Sequence, residues 1–237
     1  MSSITLSPRL LSVGRLVPAG CRYADVGTDH AYLPVWLLQN GVVSRAIASD
    51  VREGPLARAR QTAARYGLTG QISFRLCDGL SGIAPEEVDT VSIAGMGGET
   101  IADILSAAPW SGQGDRRWLL QPMSAAEDLR AWLYGHGFHI ESEHLAQEGR
   151  TLYVTMLARP GGAAPLSPGE LWAGRQWEGM EAPLRGAYLD KLLLRASRAR
   201  DGARASGRAE DLARARTFDD IYHSLTELKK EWDTWQR

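Results

Sequence analysis

Short apolar runs alternate with amphipathic stretches along the first two thirds of the chain. Strand-length runs cover residues 22–26, 44–50, 71–76, 88–94 and 117–121, and the run at 88–94 is apolar on both faces, as a central parallel strand must be. Apolar positions at helical spacing fill the intervals 31–40, 54–66, 97–107 and 125–135, with Gly41 and Gly67 closing the first two. Pro34 is tolerated because it falls in a first turn. Ser7 before Pro8 predicts an N-capped helix near the start, ended by Pro18 and Gly20. Residues 138–143 and 151–157 suit an antiparallel hairpin at a sheet edge. Strand and helix alternating at this spacing predict an α/β fold, a doubly wound and mostly parallel sheet with right-handed crossovers.

The pattern changes after the Pro- and Gly-rich linker at 159–165. Strand signals stop, and Leu189, Leu192 and Leu193 precede a break near Ser206 and Gly207. Leu212, Ala215, Ile221, Leu225, Leu228 and Trp232 then recur at roughly helical spacing, which predicts two helices folded into an antiparallel hairpin. The expected organisation is a domain over 1–160 and a helical arm over 166–237. Trp172, Trp177, Trp232 and Trp235 read as packing anchors.

Composition narrows the function classes. With 44% apolar and 23% charged residues the chain can bury a core, and its net charge of −1 supplies no overall field for a polyanion. A nucleic-acid partner therefore needs a local patch. The arm offers one in Lys191, Arg195, Arg198, Arg200, Arg204 and Arg208, against only Asp201 over that stretch. Two cysteines, Cys21 and Cys77, make neither a disulfide framework nor a zinc cluster, and Cys77 reads as a small core residue. No leader pattern and no long apolar run is evident, so a cytoplasmic protein without membrane or metal is expected.

In an open α/β sheet, ligands bind beyond the carboxyl ends of the strands. The residues at those ends are Asp25-Val26-Gly27-Thr28-Asp29-His30, then Asp50-Val51, then Cys77-Asp78-Gly79, then Ala94-Gly95-Met96-Gly97-Gly98. A dinucleotide would need Gly-x-Gly-x-x-Gly to cradle its pyrophosphate. Here Asp29 stands where that motif has glycine, and a carboxylate repels phosphate. S-adenosyl-L-methionine carries an ammonium, a sulfonium and a ribose, and acidic loops suit it. Asp50, 25 positions after Asp25, is placed for the ribose hydroxyls, Asp78 for the adenine amine, and Asp29 for the methionine ammonium or the reacting base. The glycines around Met96 imply close backbone approach to a ligand. Asp25, Gly27, Thr28, Asp29, His30, Asp50, Val51, Asp78, Gly79, Ala94, Gly95 and Met96 form the candidate cofactor site of a class I, Rossmann-like methyltransferase.

The segments Leu6-Ser7-Pro8-Arg9-Leu10, Asp25 through Pro34, Ile93 through Gly98 and Leu120-Gln121-Pro122 resemble the bacterial tRNA (adenine-22-N1)-methyltransferases, the TrmK-like family. The resemblance covers about residues 5–158 and implies a C-terminal coiled-coil arm, a tRNA substrate, and methyl transfer to N1 of adenine 22 in the D-arm region. The absences agree. No Asn/Asp-Pro-Pro-aromatic loop for an exocyclic amine follows the fourth strand, and neither cysteine sits in a Pro-Cys loop for pyrimidine C5 chemistry. Adenine N1 has a free lone pair at neutral pH, so catalysis reduces to alignment and stabilisation of a cationic product.

Reaching N1 requires the base to leave its stack, and a stacking pocket is expected. Asp29, His30 and Tyr32 are the candidate catalytic residues. Arg9, Gly97, Lys191, Arg195 and Arg198 are the candidate RNA contacts, with a monomer expected. Blander roles stand beside these: Asp50 as a helix cap, Asp78 as a turn residue, His30 and Tyr32 as packing, Arg9 as a solvated helix position. Two other functions remain open, a methyltransferase of a small metabolite whose arm dimerises, and a non-catalytic RNA-binding relative.

Overall fold

The computed structural model describes residues 3–206 and 208–236, and the chain divides into two compact units, Met1–Ala163 and Ala164–Arg237. In the first unit α1 (Pro8–Gly14), β1 (Tyr23–Val26), α2 (Tyr32–Gln39), β2 (Ala46–Asp50), α3 (Glu53–Arg65), β3 (Ile72–Leu76), β4 (Thr90–Gly97) and α4 (Gly98–Ser106) alternate. β5 (Arg117–Ser124), α5 (Ala126–Gly135), β6 (Phe138–Glu148) and β7 (Thr151–Pro160) follow. Seven strands form one sheet in the order β3-β2-β1-β4-β5-β7-β6. β1 to β5 run parallel, and β7 lies antiparallel between β5 and β6. This is the doubly wound, mostly parallel sheet expected from the sequence. The strand order reverses between β1 and β4, so the topological switch point lies at their carboxyl ends.

Successive residues of the central strands enter different cores, because a strand turns alternate side chains to opposite faces. Ile47, Ile93 and Leu120 join one cluster with Ile101 and Leu105 of α4, while Ala48 and Leu119 join the other with Val13, Val35 and Leu37. A buried ion pair ties α5 to β6. The guanidinium of Arg130, wholly buried, donates from Nε and Nη2 to Glu143 at 2.7 and 3.2 Å.

Three boundaries differ from expectation. α1 stops at Gly14, well before Pro18; Leu16 and Val17 bond three residues back instead, and a proline at 18 disfavours helical backbone at 17. β4 continues past Ala94 to Gly97 because β5 pairs with it as far as Ser124, through register shifts at Met96. The β6–β7 hairpin runs on to Glu148 and from Thr151 to Pro160, leaving a tight connection with Gly149 at φ 57°.

In the second unit α6 (Pro168–Ala173) precedes α7 (Arg185–Ser206) and α8 (Ala209–Trp235). α6 was not expected from periodicity, yet Ser167 and Glu170 form a capping box that the sequence spells out. α7 and α8 pack as an antiparallel hairpin: Leu189, Leu192 and Ala196 are buried on one helix, Ala215, Ile221, Leu225 and Trp232 on the other, and Arg204 bonds Asp219 at 2.6 Å. α7 ends at Ser206, and Gly207 of the expected break lies outside the described residues. Trp172 and Trp232 are buried and Trp235 is half-buried, but Trp177 is 51% exposed, in the connection before α7 where no helix face covers it. No described helix is long and apolar enough to cross a membrane.

Candidate active site

At the end of β1 the backbone takes a strained path. Gly27 has φ +72°, a backbone conformation that favours glycine, and the Met96 Cε methyl lies 2.0 Å from where a Cβ would stand. The Gly27 and Thr28 amides both donate to the Ser49 carbonyl at 2.9 Å, fastening the loop to β2. Asp29 and Ala31 then adopt φ 47° and 53°, two of the three non-glycine residues with positive φ among those described. Such strain persists where the surroundings fix it, commonly at functional sites.

Asp25 is buried at the root of this loop. It accepts from Thr28 Oγ1 at 2.7 Å and from Ser92 Oγ at 2.5 Å, and Ser92 is paired in turn with the Tyr23 hydroxyl. Burial is the largest influence on the carboxyl and pushes its pKa from 3.8 up to about 6, against the hydrogen bonds of Ser92 and Thr28. Burial likewise raises the Tyr23 hydroxyl well above its ordinary value.

The other strand ends converge on the same region. Asp50 is buried and accepts the Arg52 amide at 3.0 Å, while Arg52 itself occupies the N-cap of α3; Asp50 is thus not that cap. Ser49 Oγ is buried without a partner among the described residues. Val51 is 60% exposed, Asp78 is exposed, and Gly79 has φ 52° against Ile104. Gly95 turns at φ +81°, and its amide donates to Gln121 Oε1 at 3.2 Å. Gly98 opens α4 where a Cβ would stand 2.2 Å from the Ala125 carbonyl oxygen.

Two adjoining cavities result. The α1-side cavity, about 600 Å³, is lined by Arg9, Asp25, Gly27, Thr28, Asp29, His30, Tyr32, Ala94, Gly95 and Glu148, among others. The α4-side cavity, about 710 Å³, is lined by Gly27, Asp29, Ser49, Asp50, Val51, Asp78, Gly79, Ala94, Gly95, Met96 and neighbours. Gly27, Asp29, Ala94 and Gly95 belong to both. At the rim the His30 and Tyr32 rings stack at 5.0 Å and 12°, with Tyr32 43% exposed. Asp29 is exposed, bonds Arg58 Nη2 at 2.8 Å, and lies 3.6 Å from His30 Nε2.

Every predicted cofactor residue thus lines one cavity or the other, and Arg9 joins them from α1. Gly97 lines neither; it is the N-cap of α4. Lys191, Arg195 and Arg198 lie on α7 in the second unit. At spacings of four and three they share a helix face, exposed, with the Arg195 guanidinium 3.9 Å from the Trp172 ring. The basic stripe is narrower than its sequence suggests, because Asp219 of α8 pairs with both Arg200 and Arg204. Among the described residues no group of His, Cys, Asp and Glu could hold a metal ion.

Sequence reasoning missed Ser92, Gln121, Glu148, Arg58 and Ser49. A polar residue inside an apolar strand run was a usable signal for Ser92 and Gln121. Glu148 and Arg58 reach the site from β6 and α3, and nothing local marks them.

The α4-side cavity suits S-adenosylmethionine better than a nucleotide phosphate. Asp29, Asp50, Asp78 and Asp103 line it against the single cation Arg52, the orphaned Ser49 hydroxyl faces a need for a polar partner, and exposed Val51 offers an apolar face.

Comparison with known proteins agrees with this geometry. Residues 6–156 match the methyltransferase domain family. A tRNA (adenine(22)-N(1))-methyltransferase of Bacillus subtilis strain 168 is 38% identical over 161 residues, 68% of each chain. The crystal structure of the B. subtilis M1A22 tRNA methyltransferase TrmK superposes with a TM-score of 0.84 at 29% identity, covering 96% of this chain and 100% of that one. M. capricolum TrmK, in complex with the cofactor product S-adenosyl-homocysteine, gives 0.77 at 26% identity over 95% and 98%.

Proposed function

The chain belongs to the tRNA (adenine-22-N1)-methyltransferase family, and from that membership we propose that the two adjoining cavities hold S-adenosylmethionine and the flipped adenine on either side of one shared wall. The protein methylates N1 of adenine 22 in tRNA with S-adenosylmethionine as methyl donor. The observation that carries the assignment of roles is the wall itself: Gly27, Asp29, Ala94 and Gly95 face both cavities.

When bound, the cofactor supplies an electrophilic methyl group; the remaining work falls to the chain. Asp50 and Asp78 receive the ribose and adenine ends in the α4-side cavity, with Val51 and Met96 as apolar surfaces and Thr28 and Gly79 shaping the loops. Asp25 anchors the loop whose Gly27 allows close approach. In the α1-side cavity the stacked His30–Tyr32 pair offers an exposed ring face to a base that has left its helix. Adenine N1 attacks with its own lone pair, so no residue removes a proton first, and the product ring becomes cationic. Asp29, in the shared wall, is the carboxylate that stabilises that charge. Arg9 contacts the nucleotide, and Gly97 sets the start of α4 behind the wall. Lys191, Arg195 and Arg198 meet RNA phosphates. We read the protein as a cytoplasmic monomer.

Incubating unmodified tRNA transcripts with methyl-labelled cofactor, followed by nucleoside analysis, tests the reading. Label is expected in 1-methyladenosine and lost when adenine 22 is replaced. Label in N6-methyladenosine or a methylguanosine alone would overturn it.

A further inference from the structure

Gln121 stands near the carboxyl end of β5 with its side chain wholly buried, a place amides rarely occupy unless their hydrogen bonds are made. Here they are made. Oε1 accepts from Arg9 Nη1 at 2.6 Å and from the Gly95 amide at 3.2 Å, and Nε2 donates to the Pro122 carbonyl at 3.0 Å. One carbonyl oxygen therefore joins two walls. Gly95 belongs to both cavities, whereas Arg9 lines the α1-side cavity alone.

α1 is only seven residues long and cannot hold itself in place. The helix is fixed from β6 and β7: Glu148 Oε1 accepts the Arg9 backbone amide at 2.8 Å, and the Ser12 and Thr155 side-chain hydroxyls pair at 2.7 Å. The Arg9 guanidinium is a separate matter, since it ends a long stem with much rotamer freedom. Gln121 and the Tyr153 ring, 5.8 Å from the guanidinium carbon, select one position for it. An arginine has five N–H donors, so the bond to Gln121 leaves others for a ligand in the cavity.

We propose that Gln121 is a positioning residue for methyl transfer, whose side-chain oxygen holds Arg9 and the Gly95 turn in one register so that the target nucleotide and the cofactor wall are set together. This rests on the assignment of the two cavities above. A glutamate at 121 keeps an oxygen for both donors, and its charge matches Arg9; a leucine of similar bulk keeps neither bond and leaves the Gly95 amide and the Arg9 guanidinium without that acceptor.

The test compares Gln121→Glu and Gln121→Leu in full-length protein, with Arg9→Ala alone and combined with each. Folding is checked first by thermal melting, and Gln121→Met replaces the leucine variant if that one does not fold. With tRNA transcripts as substrate, Gln121→Leu is expected to lower kcat/KM about tenfold or more, and Gln121→Glu to stay within about threefold of wild type. Adding Arg9→Ala to Gln121→Leu should cost less than about threefold further, because the two act as a unit. Amide exchange at Gly95 should quicken with leucine and not with glutamate. Equal losses for glutamate and leucine, wild-type activity with leucine, or multiplying losses with Arg9→Ala would each overturn the proposal. Wild-type protein that makes no 1-methyladenosine would instead sink the functional reading on which it stands.

Discussion

Replacing Asp25 by asparagine should stabilise the free protein while weakening it as an enzyme. The carboxyl is buried, and burial lifts its pKa from 3.8 to about 6 despite donors from Ser92 and Thr28. A carboxyl raised on folding favours the folded state fully below its unfolded pKa and withdraws that support as pH rises through the folded one. The window is therefore between about 4 and 6, and at pH 8 the whole cost is present. A rise of this size corresponds to roughly 3 kcal/mol. Asparagine avoids that cost, since its Oδ1 accepts from Ser92 and its amide donates to the Thr28 hydroxyl, although imperfect mimicry reduces the gain to about 1–2 kcal/mol. For a chain of this length that is about 2–8 °C in Tm. Calorimetric melting of cofactor-free wild type and Asp25→Asn at pH 8 and pH 4 measures it. The variant should melt higher at pH 8, with the gap nearly closed at pH 4, and calorimetric titration should show weaker S-adenosylmethionine binding. Equal melting at pH 8, or a gap that widens towards acid, would refute the argument from burial.

Other outcomes follow from the same contacts. Asp29→Ala should lose most of its activity while Tm stays within about 2 °C, because its ion pair with Arg58 is exposed and such pairs contribute about 0–1 kcal/mol; transfer persisting within a few-fold would remove Asp29 from the chemistry. Glu143→Ala removes the two-point partner of the wholly buried Arg130 guanidinium and should cost about 1–3 kcal/mol in denaturant unfolding. A loss below about 0.5 kcal/mol would show that the pair with Glu143 contributes little to stability. Lys191 and Arg198 have no ion-pair partner among the described residues, so Lys191→Ala with Arg198→Ala should lower the salt slope of tRNA binding by about 2. An unchanged slope would place the RNA elsewhere.

By itself the sequence determined the layered α/β architecture and pointed to the strand ends that line the two cavities. Period-2 and period-3.6 patterns are local, and so is the rule that strand ends carry the ligand loops; hence Asp25, Asp50, Asp78 and Gly95 were legible before any coordinates. The capping box at Ser167 was equally local. What the tertiary structure alone decided depends on distant partners. Gly98 needs to be glycine because the Ala125 carbonyl oxygen lies where its Cβ would stand. Arg200 and Arg204 drop out of the basic stripe because Asp219 comes back along α8 to meet them. The sequence placed Arg9 near the site by resemblance, but only the fold brings Gln121 from β5, Glu148 from β6 and Tyr153 from β7 around it. Short-range pattern fixes which elements form and which loops face the switch point. Which side chains cooperate there depends on contacts between residues over a hundred positions apart, and no local periodicity encodes those.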